Sequence, residues 1–292
     1  MAETEWAGTT FGSVWMHNSL IAALRYIDVS IVYAFAAVFV VPVCLILNPS
    51  RGIIYRYFRL RHHLSRIKAA WKTYVNHCMF SQVVIDRFAM YAGRKFRTTV
   101  VGYDCYERLE RQEEGFVQLS SHVGCYEIAG YTLVAKHKPI SALVFGGEKV
   151  TVMAERAKIL TRDNIRIIPL MPDMSHIFLI NNALSDHEAV SMPGDRLAGS
   201  RKSIEVTFLG AKARLPLGPY QIAASRSLDV IAVNVMKTSL TAYTIFVTPL
   251  NYDKSADRKN RMTQLANAYS AELERIIKLY PTQWYNFYEF WE

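Results

Sequence analysis

His122 and Glu127 close the segment Ser121-His122-Val123-Gly124-Cys125-Tyr126-Glu127, and an imidazole five residues ahead of a carboxylate is a general-base device. A carboxylate on one ring nitrogen fixes the tautomer and leaves the other nitrogen to take a proton. Of the 8 histidines, His122 is the one with an acidic residue at that offset. Such spacing also arises by chance, so a structural loop histidine competes with the catalytic reading until context is added. Cys125 lies close by, which raises a Cys-His nucleophile as an alternative, but nothing else in the sequence marks a thiolate site.

The context is a strand followed by a helix. The apolar run Phe116-Val117-Gln118-Leu119 leads in and reads as a buried strand. Ile128, Tyr131, Leu133 and Val134 lead out with helical spacing. His122 therefore falls in a strand-to-helix loop and Glu127 in the first helical turn, where the carboxylate can reach back to the ring. Gly124 permits a tight backbone path between them.

Two more segments look like site loops. Met192-Pro193-Gly194-Asp195-Arg196 follows a predicted strand; its Pro-Gly turn either presents Asp195 and Arg196 at the carboxyl end of a sheet, where α/β ligands bind, or is a plain surface turn. Arg196 suits a phosphate or an oxyanion. Arg214-Leu215-Pro216-Leu217-Gly218-Pro219 precedes a predicted helix, whose first N–H groups can hold an anion or a carbonyl oxygen. The aromatic run Gln283 to Trp291 reads as core packing, with the wall of an acyl pocket as the alternative.

From Phe116 onward apolar runs alternate with helical patterns. Strands are expected at Phe116–Ser121, Ser141–Phe145, Ile165–Leu170, Ala189–Met192, Ile204–Leu209, Val230–Met236 and Tyr243–Leu250. Helices are expected near Tyr126–Lys136, Val152–Thr161, Ser175–Ser185, Pro219–Ser227 and Arg258–Tyr280. This alternation predicts an α/β fold with a mainly parallel central sheet flanked by helices. No Gly-rich dinucleotide loop, Walker pattern or G-x-S-x-G elbow occurs.

The chain is 292 residues long, 51% apolar and 12% aromatic, enough to bury a full core. Mean hydropathy is +0.07, high for a soluble enzyme. Cys44, Cys78, Cys105 and Cys125 form no C-x-x-C pair and lie at no metal-ligand spacing from a histidine, which argues against a disulfide framework or a zinc site. The net charge of +9 is local: seven basic residues lie from Arg51 to Lys72 with no acidic one, leaving 27 basic against 25 acidic elsewhere. A pI of 9.3 from one such segment, with no nucleic-acid motif, argues against nucleic acid as the partner.

That basic segment comes after Val29 to Leu47, an uncharged apolar stretch about 28 Å long as a helix at 1.5 Å per residue. Pro42 predicts a kink. A spanning helix, an interfacial or re-entrant helix and a core helix all fit the stretch by itself. The arginines after it favour the membrane and, for a spanning helix, place the chain beyond Arg51 in the cytoplasm. Tyr57, Leu60, Leu64, Ile67, Trp71, Tyr74 and Cys78 step by three and four, predicting one helix with an apolar stripe and a basic rim. The expected organisation is a membrane-associated segment over 1–50 and an α/β domain over 51–292.

In this order the pieces resemble the lysophospholipid acyltransferase superfamily. His122 to Glu127 is similar to its H-x4-D/E motif, and the layout resembles the lipid A late acyltransferase branch. Met192 to Arg196 looks like the acceptor-binding loop. Leu215 to Pro219 with Ala223 resembles the branch's Pro-rich motif, and Gln283 to Phe287 a typical ending. Cys125-Tyr126 stands where many members carry Asn-Trp, and Met-Pro-Gly-Asp-Arg differs from the Phe-Pro-Glu-Gly of the phospholipid branch. The resemblance implies transfer of an acyl chain from a thioester, on acyl carrier protein in preference to coenzyme A, to a lipid or glycolipid hydroxyl at the inner membrane, facing the cytoplasm, with no further cofactor. It implies His122 as base oriented by Glu127, and Asp195 and Arg196 toward the acceptor. Arg156, Arg162 and Gly218 are the candidates for the donor or oxyanion. A lipid A precursor, an amino-acid lipid and an aryl-polyene-type glycolipid stay open as acceptors. The contrasting class is a membrane-surface protein without catalysis, in which His122 and Glu127 only pack a loop.

Overall fold

The computed structural model describes residues 13–133, 136–145, 164–171, 174–197 and 202–291. The chain begins with α1 (Val14–Leu24), then the apolar helix α2 (Val29–Leu47), then α3 (Arg51–Arg56) with a π-helical turn after it (Tyr57–Arg61). Next in order are α4 (Arg66–Tyr91), β1 (Arg97–Val101), α5 (Tyr103–Arg111), β2 (Phe116–Ser120), α6 (Tyr126–Thr132), β3 (Ile140–Phe145) and β4 (Ile165–Leu170). Then come α7 (Ser175–Ser185), β5 (Ala189–Pro193), β6 (Ser203–Phe208), β7 (Ala211–Pro216), α8 (Leu217–Ser225), β8 (Asp229–Ser239), β9 (Ala242–Pro249) and α9 (Arg258–Leu279).

Among the described residues, seven strands form one sheet in the order β1-β9-β8-β2-β5-β3-β4. Every neighbouring pair is parallel except β8 and β9, so the fold is α/β with a mainly parallel sheet, as the alternation predicted. Strand side chains alternate between faces, and the core divides accordingly. Val117, Leu119, Val230 and Ala232 point to one face, under α8, α9 and Trp284. Phe116, Ile231, Val233 and Val235 point to the other, under α5 and α6.

Three expectations change, and a fourth falls outside the described residues. β6 is not part of the large sheet; it pairs antiparallel with β7 in a separate two-stranded ribbon. β1 and β7 lacked a strong apolar run and were not anticipated: β1 alternates exposed and half-buried positions at the sheet edge. The helix expected at Val152–Thr161 lies outside the described residues. The stripe from Tyr57 to Cys78 belongs to two helices, not one. His63 turns the chain with φ 52°, and Ser65 caps a new helix by accepting from Lys68 N–H at 3.4 Å. Tyr57 consequently packs inside, 5.0 Å from the Trp284 ring, while Ile67 and Trp71 face outward.

Near Pro42, which has no N–H to donate, α2 takes up the irregularity as a π-helical turn over Ala36–Val40. The extra residue moves the buried stripe from Val29, Tyr33 and Ala36 to Val41. Leu24, Val29, Tyr33 and Ala36 pack on Ile85, Phe88 and Ala89 of α4 in a small third core.

Candidate active site

Strand register brings the site together. β2 and β5 are adjacent and parallel, with Ser120 opposite Pro193. Gly194 N–H donates to Ser120 O at 2.9 Å and extends the ladder past the strand ends. Two residues beyond the paired ends on each strand stand His122 and Asp195. The Asp195 carboxylate receives His122 Nδ1–H at 2.8 Å and the His122 main-chain N–H at 2.7 Å. A carboxylate only accepts, so this contact puts the proton on Nδ1 and presents Nε2 as the basic nitrogen. The imidazole is 28% exposed while Asp195 is buried, so the base faces outward with its support behind it. Burial pushes the Asp195 carboxyl up, but the charge of His122 and its two hydrogen bonds outweigh that and hold it below the usual aspartate value.

Glu127 does not take this position. Its carboxylate is buried and meets Arg87 Nε at 3.0 Å, with the Tyr91 hydroxyl at 3.5 Å, both on α4. The guanidinium of Arg87, from α4, holds the carboxylate instead. Asp195, expected to contact a headgroup, instead directs both oxygens at His122.

The loop after β2 is held by distant segments. Gly124 N–H donates to Gln283 O at 2.8 Å, and Cys125 N–H to Val235 O at 2.9 Å. Tyr285 N–H donates to His122 O at 3.4 Å. The C-terminal aromatic run is thus core packing that also backs the histidine loop. Gly124 has φ +64°, and a Cβ there would lie 1.8 Å from Val235 O. Gly124→Ala should therefore destabilise the protein by about 2–4 kcal/mol, from left-handed backbone strain and overpacking together. Denaturant unfolding checks this, and a midpoint equal to wild type would mean that the loop is loose.

Three tyrosines that sequence reasoning did not single out fix the end of β2 and the loop after β5. Tyr220 of α8 donates to Gly194 O at 2.7 Å, Tyr269 of α9 to Ser120 O at 2.8 Å, and Tyr288 to Asp195 O at 3.3 Å. On the other flank, Ser121 Oγ donates to Asn234 Oδ1 of β8 at 2.9 Å. No local spacing announces these residues, since each acts across the sheet. Arg196 is half-buried, with its guanidinium 5.3 Å from the Tyr288 ring centre. Gly218 is exposed in the first turn of α8, and from that helix it is Tyr220 that reaches the Asp195 loop. Arg156 and Arg162 lie outside the described residues. Cys125 is buried and its thiol is pushed up to about 12, first by burial and then by Glu127, which leaves it a poor nucleophile. Tyr126 lies beside the imidazole, ring centres 6.1 Å apart, and is partly exposed.

Residues 78–292 match the sequence model of a family described as bacterial lipid A biosynthesis acyltransferase. The match starts within α4, so α1 to α3 precede it. Among solved structures, the 1-acyl-sn-glycerophosphate (LPA) acyltransferase PlsC from Thermotoga maritima is similar at 14% identity and a TM-score of 0.37, over 92% of this chain and 98% of that one. A search of curated proteins gives no match.

Proposed function

The chain belongs to the bacterial lipid A biosynthesis acyltransferase family, and from that premise we propose that it is a membrane-associated O-acyltransferase. It moves a fatty acyl chain from a thioester, carried by acyl carrier protein in preference to coenzyme A, to a hydroxyl of a lipid or glycolipid acceptor. The catalytic residues face the cytoplasm at the inner membrane. The observation that carries this reading is the outward-facing His122 ring with Nδ1 bound to buried Asp195.

His122 Nε2 takes the proton of the acceptor hydroxyl as its oxygen attacks the thioester carbonyl. The new C–O bond gives a tetrahedral oxyanion, which collapses with cleavage of C–S. The departing thiolate takes the proton back from the imidazolium, so the enzyme ends unchanged. Asp195 holds the tautomer and stabilises the imidazolium in between. Glu127, the carboxylate of the H-x4-E motif, acts at one remove by seating α6 against Arg87. Arg156 and Arg162 are the candidates to hold the oxyanion, with the N–H groups at Gly218 as the alternative.

Incubating the purified full-length protein with acyl carrier protein thioester or acyl-coenzyme A and a lipid extract, with mass spectrometry of the products, tests the proposal. An acceptor heavier by one acyl chain supports it, and no transfer from either donor overturns it. Arg196→Ala should weaken transfer about tenfold or more, as expected for loss of a charged hydrogen bond to a headgroup. Thioester hydrolysis by the same variant should change less, because water needs no headgroup site. Equal losses in both assays would remove Arg196 from the acceptor side.

A further inference from the structure

α2 and the turn that leads into it are fastened at three places to the domain that carries His122. At the start, Arg94 donates to Leu24 O and Ile27 O, each at 2.7 Å. In the middle, the Tyr33 hydroxyl bonds Asp86, which is itself paired with Lys237 of β8, and the Tyr74 hydroxyl donates to Ala37 O at 2.9 Å. At the end, the Asn48 amide lies 3.1 Å from His77 Nε2. Tyr74, His77 and Asp86 all belong to α4, and Arg94 follows it closely. A helix that crosses a bilayer puts its ends on opposite faces, about 30 Å apart. Here the end of α2 is held by His77 of α4, its first turns pack on Ile85, Phe88 and Ala89 of the same helix, and the turn before it is held by Arg94 just beyond α4. Lifting α2 away would strip Tyr33 from the Lys237–Asp86 pair, whose side chains are almost fully buried, and opening such a network is costly.

Among the described residues, nothing covers the opposite face of α2. Phe35, Val38, Phe39, Ile46 and Leu47 are each more than half exposed. Ile67 and Trp71 of α4 continue this surface: the Trp71 ring lies 5.4 Å from that of Tyr74, which reaches Ala37. Exposed Arg51, Arg66 and Lys68 rim it, and no acidic residue occurs between Asp28 and Asp86. Apolar side chains with a basic rim and an indole at the edge complement an anionic lipid surface.

We propose that α2 and the start of α4 form one monotopic surface that sinks into a single leaflet, with both ends of α2 on the cytoplasmic side. This inference rests on the membrane-associated acyl-transfer reading and specifies its geometry. The test uses the full chain with Cys44, Cys78 and Cys105 changed to serine, carrying either Arg25→Cys or Pro49→Cys. A membrane-impermeant maleimide is applied to inverted inner-membrane vesicles and to spheroplasts. Both positions should label in inverted vesicles and neither in spheroplasts. Labelling of the two from opposite sides overturns the proposal while leaving a membrane enzyme in place. Should the cysteine-depleted chain not fold, an epitope tag ahead of Met1 on the wild-type chain gives the same readout by proteolysis. Removal of the tag in inverted vesicles alone is expected, and removal in spheroplasts alone overturns the proposal. Recovery of the wild-type chain wholly in the soluble fraction would overturn the membrane reading itself, and this inference with it.

Discussion

His122→Ala abolishes acyl transfer, lowering turnover by about 10²–10⁴-fold, as loss of a positioned general base does. Folding should survive. The ring is partly exposed, so its removal empties little of the core. The main-chain N–H of residue 122 still reaches the Asp195 carboxylate. Initial rates of transfer from an acyl thioester, set beside a thermal melt, separate the two effects. Turnover near wild type in a well-folded variant would remove His122 from the chemistry.

Asp195→Asn should cost on the order of 10³–10⁴-fold in turnover, by the logic that governs the carboxylate of a hydrolase triad. The amide keeps the shape of the carboxylate but not its acceptors. Its oxygen is drawn to the main-chain N–H of His122, which turns the NH₂ group toward Nδ1. Nδ1 must then accept, and the proton moves to Nε2, the nitrogen needed as base. Glu127→Gln offers the contrast. It leaves Arg87 facing an amide, which should cost about 1.5–3 kcal/mol of stability and much less turnover than Asp195→Asn. Measuring melting temperature and rate for both variants tests the assignment. A Glu127→Gln enzyme as slow as Asp195→Asn would return the orienting role to Glu127.

The two outcomes differ because of what a linear sequence can carry. The strand before His122 and the helix after it have local signals, and the structure has both; the turn expected at Pro193-Gly194 is instead the continuation of β5, with Pro193 its last residue and Gly194 bonded to Ser120 O. The pairing of β2 with β5 has no local signal: His122 and Asp195 are 73 residues apart, and only adjacency in the sheet makes them neighbours. Glu127 looked the nearer partner because spacing counts residues and not competitors; Arg87 approaches from another helix. The stripe from Tyr57 to Cys78 misled for a similar reason. Its three-and-four stepping runs across His63 and Ser65, where a left-handed residue and a cap start a second helix. Tyr220, Tyr269 and Asn234 were silent in the sequence because a side chain that braces a loop across the sheet has no pattern of its own.

The in-register meeting of β2 and β5 has a kinetic side. Loops must close over long separations before such strands reward the chain with contacts, so parallel pairing tends to be a slow event in folding. Local helices need no such search. A refolding chain would regain much of its helical signal first and its turnover only once Ser120 has settled opposite Pro193. A slip of one residue would set Gly194 or Arg196 against His122 and leave a compact but silent molecule. Catalysis thereby serves as a stopwatch for the last ordering of the sheet.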